Sequence, residues 1–211
     1  MKCAVCIIAS LIVLGVVCQF FPLFHIVPLK KAEAEESAAT FDAVKFTDDF
    51  WSEKLLKSFD HATDAKELLA AINNDPAAAQ KKYGHALSLG GGYFYYLRGE
   101  GRVLATNDDG VSLAISANTT NTEVVLATGL VFGNAVRDGT GLLNASEYSN
   151  LQDFNNISAE LNKLVEAHVL PKLRADAYIG ATVKFVGCAE VDDETTDLHP
   201  LSVVPVSAEV E

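Results

Sequence analysis

Arg137 and Asp138 stand side by side between Gly133 and Gly141, the one charged pair in the chain whose setting suggests binding chemistry. A guanidinium fork can grip a carboxylate through two parallel hydrogen bonds, and the flanking glycines predict a turn. Asn150, at the start of a helix-patterned stretch, could cap that helix or reach the same turn. Arg137, Asp138 and Asn150 are therefore the candidate ligand-binding residues. The competing reading is an internal network that locks a loop onto the body. A third use would pair Asp138 with another carboxylate as acid and base, which requires a separation of roughly 5–9.5 Å across a cleft.

Other chemistry finds little support. Gly99-Glu100-Gly101 has Leu104 where a dinucleotide fingerprint needs its third glycine, and it lies between strand-patterned segments. There is no phosphate-cradling G-x-x-x-x-G-K-[ST] run and no G-x-S-x-G serine elbow. The five histidines are scattered, with no H-x-x-x-H pair to hold a metal. Asp192, Asp193, Glu194 and Asp197 lack calcium-loop spacing and read as a solvated acidic turn. Tyr93 to Tyr96 could stack on sugar rings, but packing a barrel wall is the simpler use. Cys188, between Gly187 and Ala189 with no basic neighbour, reads as a small core residue. No catalytic residue, metal or cofactor is expected, and the chain is read as a non-enzyme.

The elements that would position these residues follow from periodicity. Thr47 is expected to cap a helix carrying Phe50, Trp51, Leu55, Leu56 and Phe59. Asp64 with Glu67 makes a capping-box pattern, and Asp75-Pro76 opens a helix that stops at Gly84. Beyond Gly90 the period changes. Strands are expected at Tyr93 to Thr106, with a kink at Gly99-Glu100-Gly101, then at Val111 to Ile115 and from Val124. Gly129 to Gly133 would extend or bend the third strand. Asp138 to Gly141 is read as a turn, Ser149 to Leu170 as a long helix that Pro171 ends or kinks, and two strands close the chain at 182–191 and 201–210. The class is α+β: a small helical layer, then an OB-like five-stranded antiparallel barrel with a long helix between strands three and four.

The 211 residues carry a net charge of −12, 49% of them are hydrophobic and 21% charged, which excludes a disordered chain and gives no basic footprint for nucleic acid. Cys3, Cys6 and Cys18 crowd into the start and leave Cys188 alone, so no disulfide framework holds the body. Cys3 to Phe21 is apolar apart from Ser10 and Gln19, follows Lys2, and precedes Ala32-Glu33-Ala34, the pattern of an export signal. The run is also close to membrane-spanning length. Both fates stay open: release after cleavage, or an inner-membrane anchor through residues 1–29. The expected divisions are 1–34 as signal or anchor helix, 35–90 as the helical part, and 91–211 as the barrel part.

The step Gly133-Asn134-Ala135-Val136-Arg137-Asp138, followed by Tyr148-Ser149-Asn150 and Leu161-Asn162, resembles a family of bacterial periplasmic lipoproteins catalogued as domain of unknown function 2291. Ile26-Val27-Pro28, Phe50-Trp51, the Asp75 to Gly84 helix, Gly99 to Val103 and Val204-Pro205-Val206 match as well. Two positions depart: Leu151 replaces a glutamine, and Phe24-His25 stand where many members carry their lipid-bearing cysteine. The resemblance implies a periplasmic address, a helical part joined to a barrel-like part, and an accessory role beside sugar-importing ABC transporters. The expected partners are thus transporter subunits or a small polar ligand such as a sugar. A hydrolase using Asp138 and a purely structural interaction module are the alternatives.

Overall fold

Asp42, not Thr47, opens the first helix. Its carboxylate accepts the Lys45 amide at 3.0 Å, and α1 runs Ala43–Phe50. Thr47 lies inside the helix, 1% exposed, because its neighbours Phe46 and Phe50 turn that face inward. The structure is a computed structural model that describes residues 41–86, 92–144, 147–148 and 151–211. The expected leader, residues 1–34, therefore falls outside the described residues, as does Asn150. Among the described residues no helix is long and apolar enough to cross a membrane.

After α1 the chain continues through a wide π turn, Trp51–Leu55, and a tight 3-10 segment, Leu56–His61. Asp64 then caps α2 (Ala65–Asn74) through the amides of Lys66 and Glu67, as its sequence pattern predicts. Glu67 does not close the box; it accepts the Tyr83 hydroxyl at 2.6 Å instead. Asp75 caps α3 (Pro76–Tyr83), with proline in the first turn where its missing N–H costs nothing.

The sheet has seven strands: β1 (Thr63–Asp64), β2 (Gly84–His85), β3 (Tyr93–Thr106), β4 (Gly110–Ala114), β5 (Val124–Ala127), β6 (Thr182–Val191) and β7 (Leu201–Val210). Neighbours along it are β3-β4-β5-β7-β6, and β6 pairs in turn with β3. The sheet is mixed, which corrects the wholly antiparallel expectation. Direction alternates through β3, β4 and β5; β6 runs against β3 and β7 against β6, so β7 must lie parallel to β5, with Val124 opposite Leu201. Gly99-Glu100-Gly101, where a kink is expected, does not interrupt the strand. β3 pairs with β6 without a register break from Tyr93 to Arg102. A Cβ on Gly99 would stand 2.7 Å from that of Ala65, so the glycine admits the start of α2 against the strand.

Tyr93, Tyr95 and Leu97 face the main core with Val103, Leu113, Leu126, Val183 and Val203. Tyr96 points the other way and packs with Ala62, Ala135 and Cys188. β3 is thus covered on both faces at its start, and this explains why the sequence there reads as an unbroken aromatic run. Between β5 and β6 come α4 (Ala135–Gly139), α5 (Leu151–His168) and α6 (Leu170–Asp176). Pro171 sits in the first turn of α6, so the long helix expected to Leu170 stops at His168 and a second begins.

Candidate functional site

Arg137 and Asp138 lie on α4, a single helical turn, rather than in the open turn that the flanking glycines suggested. Gly133 (φ +80°) bends the chain into it, and Gly139 lets it approach β6, because a Cβ there would stand 2.7 Å from that of Cys188. Arg137 Nε donates to Asp138 Oδ1 at 2.7 Å and its Nη2 to Oδ2 at 2.8 Å, a bidentate grip between side chains only 5% and 1% exposed. Nη1 donates to the Phe154 carbonyl and to Asn155 Oδ1, and the guanidinium stacks 3.8 Å from the Phe154 ring centre.

The neighbouring motif residues complete the network. Ser158 donates its hydroxyl to Asn134 Oδ1 at 2.9 Å, and Asn162 donates to the Gly133 carbonyl at 3.1 Å. Glu166 accepts the Val131 amide at 2.9 Å. Residues 131–137 are therefore tied, one after another, to successive turns of α5. Phe154, Ile157, Leu161 and Val165 fill the buried stripe of the same helix.

Electrostatics follow burial. Burial and the charge of Asp138 push the Cys188 thiol far up, which keeps it protonated and inert. The Glu190 carboxyl is raised, chiefly by burial and then by Asp192, while the Asn134 amide and Arg137 oppose the shift. Asp138 borders a cleft of about 420 Å³ with Gly84, His85, Gly141 and Leu143. Burial lowers the basicity of His85 there. Both oxygens of Asp138 accept from Arg137 and its side chain is 1% exposed, so the carboxylate is engaged in the internal pair.

The other residues with chemical promise stay apart from this network. Asp197 accepts the amides of Asp192 and Asp193, and Asp193 accepts the amide and hydroxyl of Thr195. These bonds hold both carboxyls below the ordinary range, the Thr195 hydroxyl leading for Asp193 and the Asp193 amide for Asp197. No group of three or more His, Cys, Asp or Glu among the described residues is placed to hold a metal. Tyr93, Phe94, Tyr95 and Tyr96 are all at most 5% exposed and offer no stacking platform. Tyr96 shares a hydrogen bond with Ser58 at 2.9 Å, and burial pushes its phenol up to about 12.

One feature escapes the sequence reading. Gly129 to Gly133 neither extends nor bends a strand; it forms a loop that holds Leu130 75% and Phe132 76% exposed. With Asn155, Ala159 and Lys163 of α5 the loop borders a mainly apolar groove of about 490 Å³. An apolar run between two glycines has the composition of a strand, and nothing local in it marks the side chains as outward-facing.

A family model described as "Predicted periplasmic lipoprotein (DUF2291)" matches residues 7–209. The crystal structure of an OB-fold protein from Thermotoga maritima superposes with a TM-score of 0.71 at 24% identity, covering 82% of this chain and 99% of that one. At that identity the likeness is one of fold. No functionally curated protein matches the chain.

Proposed function

The chain belongs to the DUF2291 family of predicted periplasmic lipoproteins, and from that premise we propose that it is a non-enzymatic accessory protein of the bacterial envelope that docks on the periplasmic face of a sugar importer. The apolar leader, read as an export signal or inner-membrane anchor, would keep the body beside such a partner.

The observation that carries this reading is the use made of the Arg137–Asp138 network. Every hydrogen bond of Arg137 is internal, and together with Asn162, Ser158 and Glu166 it mounts the 129–134 loop on α5. What the mount displays is Leu130 and Phe132, two large apolar side chains left in water. Covering each would contribute about 2 kcal/mol, a natural anchor for a protein contact with polar groups from Lys163 and Glu166 beside it.

The test is a strain lacking the protein, complemented with the wild type or with the paired substitution L130S and F132S. The expected result is reduced sugar uptake that the wild type restores and the variant does not, with importer subunits co-purifying only with the wild type. Unchanged uptake in the deletion strain, with no importer subunit co-purifying, overturns the proposal.

A further inference from the structure

A cleft of about 530 Å³ opens between the β3–β4 turn, the residues following β5, and α6. Its volume lies within the range of small-molecule sites. Its floor is Val111 and Thr128, 2% and 1% exposed, and Ala177 forms a side wall. Asn107 and Asp108 stand on one rim and Arg174 on the other.

The two charges on these rims are exposed and have no partner of opposite charge among the described residues. Arg174 Nε donates to the Thr128 carbonyl at 2.7 Å, and Nη2 reaches the same carbonyl and that of Gly129. These bonds fix one edge of the guanidinium against the backbone. Among the described residues Nη1 has no partner and the positive charge has no carboxylate. The Asp108 side chain likewise has no partner among the described residues; its residue is tied down through the backbone, where the carbonyl accepts the Thr128 hydroxyl. The turn is held further by Asn107 Oδ1, which accepts the amides of Asp109 and Gly110. A guanidinium and a carboxylate thus border one cleft, each anchored and neither paired with the other.

We propose that this cleft binds a small carboxylate that also carries hydrogen-bond donors, an amino acid or a sugar acid, with its carboxylate on Arg174 and its donor on Asp108. The free Nη1 group of an oriented guanidinium can donate a charge-assisted hydrogen bond to a carboxylate. An ammonium or hydroxyl group on the same ligand answers Asp108, and its carbon skeleton rests on Val111 and Ala177. A neutral sugar would leave Arg174 unanswered, and a phosphate ion would face repulsion from Asp108. The proposal does not rest on the docking reading, since no residue is shared between this cleft and the Leu130–Phe132 groove.

Calorimetric titration of the full chain tests it, using a panel of L-amino acids and a panel of hexuronates, with glucose and inorganic phosphate as comparators. Saturable binding of a member of either panel is expected, with glucose and phosphate inert. R174Q should weaken it about tenfold to a hundredfold, the loss of a hydrogen bond to a charged group. If R174Q fails to fold, R174K, which keeps the charge and loses the fork, takes its place with the same direction expected. D108N separates the sources: an ammonium-bearing ligand loses affinity by a similar factor, whereas a hexuronate, whose hydroxyl can donate to the asparagine carbonyl, keeps most of it. The L130S and F132S pair should leave binding unchanged, so failure here and failure of the importer reading are distinguishable. The proposal is overturned if neither panel binds, if the Arg174 substitution leaves affinity unchanged, or if glucose or phosphate binds as tightly.

Discussion

At the scale of single residues, the Arg137–Asp138 pair decides how the middle of the chain is held. Two charges this deeply buried lose most of their hydration, and their mutual attraction offsets that loss only while both are present. Removing one partner leaves an uncompensated charge. D138A or R137A should therefore cost about 3–5 kcal/mol in urea unfolding, whereas the double apolar replacement R137M with D138L should cost far less. A pair worth less than about 1 kcal/mol in either single variant would show that solvent reaches it, contrary to the geometry. Sequence made the pair conspicuous and offered an internal lock as one of its uses; the hydrogen bonds of Arg137 all run to neighbouring groups of the chain itself. It could not decide between lock and ligand site, because that depends on Phe154, Asn155 and Ser158, which arrive from another helix.

At the scale of elements, local signals carried as far as local physics did. Asp64 and Asp75 were legible as caps, since the bonds they make lie within three residues of themselves. The acidic turn was legible for the same reason, and both closing strands from the residue types along each run. Thr47 was misread because Asp42, slightly earlier, competes for the same role and wins. The β4–β5 turn has a device of its own: Glu123 accepts the amides of Ile115 and Ser116 and the Ser116 hydroxyl at 2.7–2.8 Å. Burial works against the charged form, but these bonds outweigh it and hold the carboxyl below its ordinary range. A depressed folded-state pKa contributes stability that is present above the unfolded value, near 4.5, and is lost as the pH falls through the lower folded value. E123Q should consequently be less stable than wild type at pH 7, with the difference shrinking below about pH 4 as Glu123 takes up its proton. Equal midpoints at pH 7 in thermal melts would contradict this account of the turn.

At the scale of the whole molecule, stability is shared through pairings that are distant in sequence. β7 is flanked by β5 on one side and β6 on the other. β6 in turn supplies the partner for most of β3. Deleting residues 201–211 strips partners from two strands at once and uncovers Val183 and Leu126 in the core. The truncated chain should show no cooperative unfolding transition by circular dichroism, and a residual sigmoidal melt would mean that the remaining strands hold without β7. The OB-like layout was legible because five strand signals and one long helix came in the right order. The parallel β5–β7 pair was not, because direction emerges only when all the reversals are counted together.

That parallel pair also bears on how the protein is made. A strand that joins the middle of the fold to its closing segment leaves nothing complete to fold until the last residues of β7 have been synthesised. Until β7 arrives, β5 and β6 each hold an unfilled edge, so the core they share closes only when a strand from the far end of the fold is in place.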